Sequence, residues 1–116
     1  MLKIAVLIFA IGAVGGLVMA MRVLRGQLAP WALSLAHAAL GATGLVLTAI
    51  VAFGGSGAGG VVPIALLILV IAALGGFYLA SIHLRQQIAP RAVVFVHAGV
   101  AVIGFLCLAG AAFSLI

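Results

Sequence analysis

The chain has 116 residues, of which 69% are hydrophobic and 4% charged, with five Lys and Arg and not one Asp or Glu. A soluble domain carries about 25% charged residues, so this chain has too little polar surface to be one. The composition predicts an all-α integral membrane protein, with length for four spans of roughly 20 residues and no soluble domain. The lack of acid excludes an embedded carboxylate as proton carrier, as hard-metal ligand or as the glutamate on which small four-span drug exporters depend. The charge of +5 reads as a topology signal and a contact with anionic lipid headgroups, with no nucleic-acid partner implied.

The first span is expected over 4–24. Lys3 followed by an apolar run resembles a signal peptide, but the run is long and repeats at 64–84, which argues for a span. Gly12, Gly16 and Ala20 fall four apart on one face, where a second helix or a flat ligand can approach closely. Arg22 and Arg25 end the span at the water interface, Gly26-Gln27 makes the turn, and Pro30 is placed to begin the next helix. Trp31 belongs at headgroup level. The second span, about 30–53, puts Ser34, His37, Gly41, Gly44 and Thr48 on one narrow arc and leaves its other faces to Leu, Val and Ala. Thr43 and Thr48 are expected to bond back to their own helix.

A Gly-rich linker over 55–62 joins the halves. Pro63 is expected to open the third span, to about 84, where Ala72, Gly76 and Ala80 repeat the small-residue stripe. The fourth span, about 89–115, carries His97, Ala101 and Gly104 on one arc. Cys107 lies in its apolar run, can form no intramolecular disulfide and reads as a small hydrophobe.

The two halves are copies. Residues 3–56 align without gaps to 63–116 with about 21 of 54 positions identical, including Gly15-Gly16 with Gly75-Gly76, Arg25 with Arg85, Gln27 with Gln87, Pro30 with Pro90 and His37 with His97. The expected fold is a four-transmembrane-helix bundle built from two parallel helical-hairpin repeats, 1–54 and 63–116, related by a pseudo-two-fold axis along the membrane normal. Arg22, Arg25, Arg85 and Arg91 cluster at the two intra-hairpin turns, whereas the far side has Lys3. The positive-inside rule then puts turns 25–29 and 85–89 in the cytoplasm and both termini outside.

His37 and His97 each lie seven residues past a proline, roughly 10 Å into the bilayer. Two imidazoles at equal depth in a four-helix bundle suit axial ligation of one haem. Gly15, Gly16, Gly75 and Gly76 would leave room for a macrocycle at that level, and the arginines share its side. Each ligand imidazole needs a partner for its other nitrogen, a backbone carbonyl or a hydroxyl. Other readings compete. The pair is also suited to a structural role, each histidine donating to a carbonyl on the next helix, to bonding a quinone oxygen, or to a soft-metal site with Met19 or Met21. His83 breaks the repeat, its counterpart being Val23, and is either solvated at the interface or a propionate, headgroup or proton contact.

This layout resembles the haem-binding four-helix core of membrane b-type cytochromes, in which histidines of the second and fourth helices ligate the iron, glycines of the first and third face the macrocycle and basic residues meet the propionates. By position, the resemblance implies haem b as cofactor, His37 and His97 as iron ligands, Gly15, Gly16, Gly75 and Gly76 as packing positions and Arg25 and Arg85 as propionate partners. Those cores commonly hold two haems on four histidines, and one histidine per half lies at ligand depth here, so a single haem is implied. The pattern also resembles small bacterial four-span proteins, which implies the bacterial inner membrane. The expected function is electron transfer with quinol or a partner redox protein. The rival is a non-catalytic accessory subunit of a larger membrane complex. Neither is enzymatic in the strict sense, and four short spans point to a homo- or hetero-oligomer.

Overall fold

The computed structural model describes residues 1–55 and 60–116 and contains four α-helices: α1 Leu2–Leu24, α2 Trp31–Phe53, α3 Val61–Leu84 and α4 Arg91–Ala112. Their lengths of 22 to 24 residues correspond to about 33–36 Å, enough for a hydrocarbon core of about 30 Å. All four are long and apolar enough to cross a membrane. Large apolar side chains such as Phe53, Leu67, Phe77 and Leu106 stand exposed around the bundle, an exterior suited to lipid.

The helices end as a hydrogen-bonded motif that the residue types only half disclose. At the end of α1, Gly26 N–H donates to Val23 O and Gln27 N–H to Arg22 O, both at 2.9 Å, with Gly26 at φ +76°. This is a Schellman cap, which satisfies the last carbonyls with a left-handed residue. The end of α3 repeats it with Gln86 and Gln87 bonding His83 O and Ile82 O, but there the left-handed residue is Gln86 at φ 55°. Pro30 and Pro90 do not begin α2 and α4 as expected. They sit one residue earlier, extended at ψ 139° and 140°, and their carbonyls accept from Ser34 and Val94. α3 begins at Val61, inside the expected linker, so Pro63 is its third residue, a first-turn position where the missing N–H is harmless. Residues 56–59 of that linker lie outside the described residues.

α1 packs on α2 and α3 on α4 as the two main interfaces. The hairpins meet through α2 with α3 and α1 with α4, whereas no Cα atoms of the diagonal pairs α1–α3 and α2–α4 come within 8 Å among the described residues. The packed core lies at the end of the bundle that holds the chain termini, where Ala5, Val6, Val62, Ala65, Leu69 and Leu108 form a buried cluster. Glycines admit large side chains just above it: a Cβ on Gly44 would lie 2.6 Å from the Phe9 ring, and one on the equivalent Gly104 would lie 2.8 Å from Leu69. Thr48, fully buried, returns its hydroxyl to Gly44 O at 2.7 Å, and Thr43 does the same to Ala39 O. Lys3 lies 5.4 Å from the Phe113 ring centre, joining the two ends of the chain. The pairing of α1 with α2 recurs as α3 with α4, and the bond from His37 to Gly12 O recurs as that from His97 to Ala72 O, so the internal repeat shows in the structure as an approximate two-fold.

A candidate cofactor site between two imidazoles

Each histidine is fixed by the hairpin it belongs to. His37 on α2 meets Gly12 O on α1, and His97 on α4 meets Ala72 O on α3, each with Nδ1 to oxygen at 2.8 Å. A carbonyl oxygen only accepts, so Nδ1 must be the protonated nitrogen of both rings. In the neutral imidazole this leaves Nε2 as the lone-pair nitrogen, the arrangement that a metal-ligating histidine takes. Among the described residues no other atom partners either Nε2 and no sealed-in side-chain polar atom lacks a hydrogen bond, so both Nε2 atoms are open.

The glycine pairs seat these rings. A Cβ on Gly16 would stand 2.8 Å from Cε1 of His37, and one on Gly76 would stand 3.1 Å from Cε1 of His97. Gly16 and Gly76 are therefore the positions where α1 and α3 yield to an imidazole. Gly15 and Gly75 play a lesser part: an added Cβ would be 3.4 Å from the end of Leu33 in one case and 3.6 Å from His97 Nδ1 in the other, both tolerable. Gly75 borders a separate shallow groove on the outer face of α3 and α4, beside Tyr78 and Val96.

The two rings face each other across the pseudo-axis, with centres 6.3 Å apart and planes at 78°. For two imidazoles on opposite sides of one metal, ~2 Å per metal–nitrogen bond plus about 1 Å from each nitrogen to its ring centre gives a spacing of about 6 Å. They border a cavity of about 750 Å³ between the hairpins, within the range of cofactor sites. Gly16, Ala13, Ala20, Gly76, Ala73 and Ala80 give it smooth walls from α1 and α3. Phe9, Leu45, Leu69 and Phe105 lie at its deep end, and Val23, Leu28, Ala29, His83, Gln87 and Ala89 at the turn end.

The arginines stand apart from this space. Arg25 and Arg85 are exposed and border no part of the cavity. The Arg85 Nε donates to Ser81 O of its own helix at 3.3 Å, the Arg22 Nε donates to Leu28 O at 3.3 Å, and Arg91 reaches across the hairpins to Leu24 O at 3.1 Å. At the opposite seam His83 lies face to face on Trp31, ring centres 3.9 Å apart and planes 4° from parallel. Residue types alone did not expose this stack or the place of Gln87 in the lining. Their signal was weak: His83 and Trp31 are both departures from the repeat, opposite Val23 and Arg91.

Among the described residues, no three His, Cys, Asp or Glu side chains gather into a metal cluster. Two imidazole donors with a wide apolar gap suit a metal that arrives already held in a flat ligand better than a bare ion, which needs about four donors. Comparison with protein-family models, curated proteins and solved structures returned no match. Geometry alone therefore defines the site as a bis-imidazole cavity in a four-span bundle.

Proposed function

We propose that the chain is a small b-type haem protein of the bacterial inner membrane, with His37 and His97 as axial ligands of one haem and electron exchange with quinol or a partner redox protein. The observation that carries this reading is the ring-centre spacing of 6.3 Å between two imidazoles whose Nδ1 atoms are engaged. Haem would supply the four equatorial nitrogens and a one-electron couple. The chain's own residues do the rest. Gly12 O and Ala72 O orient the rings and fix their tautomer. Gly16 and Gly76 make room for them, the alanines of α1 and α3 offer surfaces that a planar molecule can lie against, and the apolar lining keeps water and charge away.

The side of the membrane follows from charge. Arg22, Arg25, Arg85 and Arg91 are at the turn end and Lys3 at the other, so the turns are cytoplasmic and the termini outside. The cavity then reaches the cytoplasmic leaflet.

The accessory-subunit reading also has a specific support: the Nδ1 bonds already tie α1 to α2 and α3 to α4 without any ligand. An absorption spectrum separates the two. Protein expressed with ample haem supply is expected to show a Soret band and reducible α and β bands, lost in both His37→Ala and His97→Ala. A colourless wild type under those conditions would leave the accessory role as the reading that stands.

A further inference from the structure

The pseudo-two-fold predicts that whatever stands at the mouth of the cavity on the α1 side stands there again on the α3 side, and it does not. On the α1 side the lining is Val23, Leu28 and Ala29. On the α3 side it contains His83 and Gln87. Gln27, the repeat counterpart of Gln87, is outside the lining, although both glutamines are exposed. The imidazole and the amide at this end are both on the α3 side, with the Ser34 hydroxyl on α2, and none of the four arginines borders the cavity.

His83 is held for a purpose that its own hairpin does not explain. Its ring face is covered by Trp31 of the other hairpin, and among the described residues its imidazole nitrogens make no hydrogen bond. Stacking occupies the faces of an imidazole and leaves its nitrogens, which lie in the ring plane, free to bond at the edge. An imidazole keeps an N–H donor at that edge. His83 and Gln87 thus each bring an N–H donor to this end of the cavity, and among the described residues neither side chain makes a hydrogen bond.

We infer that His83 and Gln87 form an acid-binding wall at the mouth of the cavity, taking a carboxylate of its occupant, with Trp31 as the positioning residue for His83. This rests on the haem reading, in which the carboxylate is a haem propionate, and it assigns that contact to His83 and Gln87 in place of Arg25 and Arg85.

The test is to titrate the detergent-solubilised full chain with haemin and with haemin dimethyl ester, following the Soret band. Wild type is expected to bind the diacid about tenfold more tightly than the diester, the contribution of a charge-assisted hydrogen bond. His83→Ala is expected to weaken the diacid alone and remove the preference, the unchanged diester affinity showing that the cavity is intact. His83→Gln, which keeps a donor, restores part of the preference. Trp31→Ala lowers it and Trp31→Phe retains it, while Arg25→Ala and Arg85→Ala leave it in place. Equal affinity of wild type for the two probes, or a preference that survives His83→Ala, overturns the assignment and leaves the haem reading standing. A wild type that binds neither probe overturns both.

Discussion

His37 donates Nδ1–H to the carbonyl of Gly12 at 2.8 Å, and the ring so held rests its Cε1 edge where a Cβ on Gly16 would come within 2.8 Å of it. The bond sets the tautomer and the glycine sets the position. Neither can change without moving Nε2.

Gly16→Ala is therefore expected to displace the imidazole. Overpacking of this kind costs about 1–3 kcal/mol, set against a gain of up to about 1 kcal/mol from replacing a helical glycine. Gly76→Ala, with 3.1 Å to Cε1 of His97, should move its ring less. Gly15→Ala meets only the flexible end of Leu33 at 3.4 Å and should be neutral or stabilising. Thermal unfolding in detergent, together with the haem-binding spectrum of each variant, checks the order. Equal effects at Gly15 and Gly16 would contradict the seating described.

The turn after α3 holds Gln86 at φ 55°, where the equivalent turn has Gly26 at φ +76°. A non-glycine residue in the left-handed region costs about 1–2 kcal/mol. Gln86→Gly is expected to raise stability by about 1 kcal/mol, and Gly26→Ala to lower it by a similar amount. Denaturation midpoints of the two single variants measure this directly, since neither side chain borders the cavity.

The inward arc of α2 contains two glycines with different duties. A Cβ on Gly44 would lie 2.6 to 2.8 Å from three atoms of the Phe9 ring, while one on Gly41 would meet nothing within 4 Å. Gly44→Ala should destabilise by about 1–3 kcal/mol and Gly41→Ala should not. The same contrast is expected between Gly104, against Leu69, and Gly99, which is open. Unfolding in detergent reports both pairs.

Trp31 is the single tryptophan of the chain, so its emission reports the stack on His83 without interference. His83→Ala is expected to raise the fluorescence yield and to increase the accessibility of the indole to an aqueous quencher. Arg91→Ala, which removes the bond to Leu24 O at the other seam, should leave the emission unchanged. An emission insensitive to His83 would mean that the rings do not stack.

Much of this architecture is legible in the residues themselves. Spans of this hydropathy show as long apolar runs, and the repeat links His37 to His97 before any coordinate is known. What stays hidden is whatever lacks a side-chain signature. The acceptors for the imidazoles are backbone carbonyls, and the letters at 12 and 72 say only that the residues are small. The left-handed turn is announced by Gly26 and concealed by Gln86. The arginines were expected beside the cavity because they share its end of the bundle, but they do not border it, and those at 22, 85 and 91 reach backbone carbonyls. The His83–Trp31 stack joins positions on different hairpins, so no periodicity within one hairpin points to it. The packing of Phe9 over Gly44 is likewise a matter of how closely two helices approach, which a hydrophobic pattern leaves open.

The buried cluster of Ala5, Val6, Val62, Ala65, Leu69 and Leu108 occupies one end of the bundle, and the cavity ends against it at Leu69, flanked by Phe9, Leu45 and Phe105. The bundle is in this sense a cul-de-sac. The packed cluster closes the way toward the chain termini, so whatever enters the cavity from the turn end leaves by that same end.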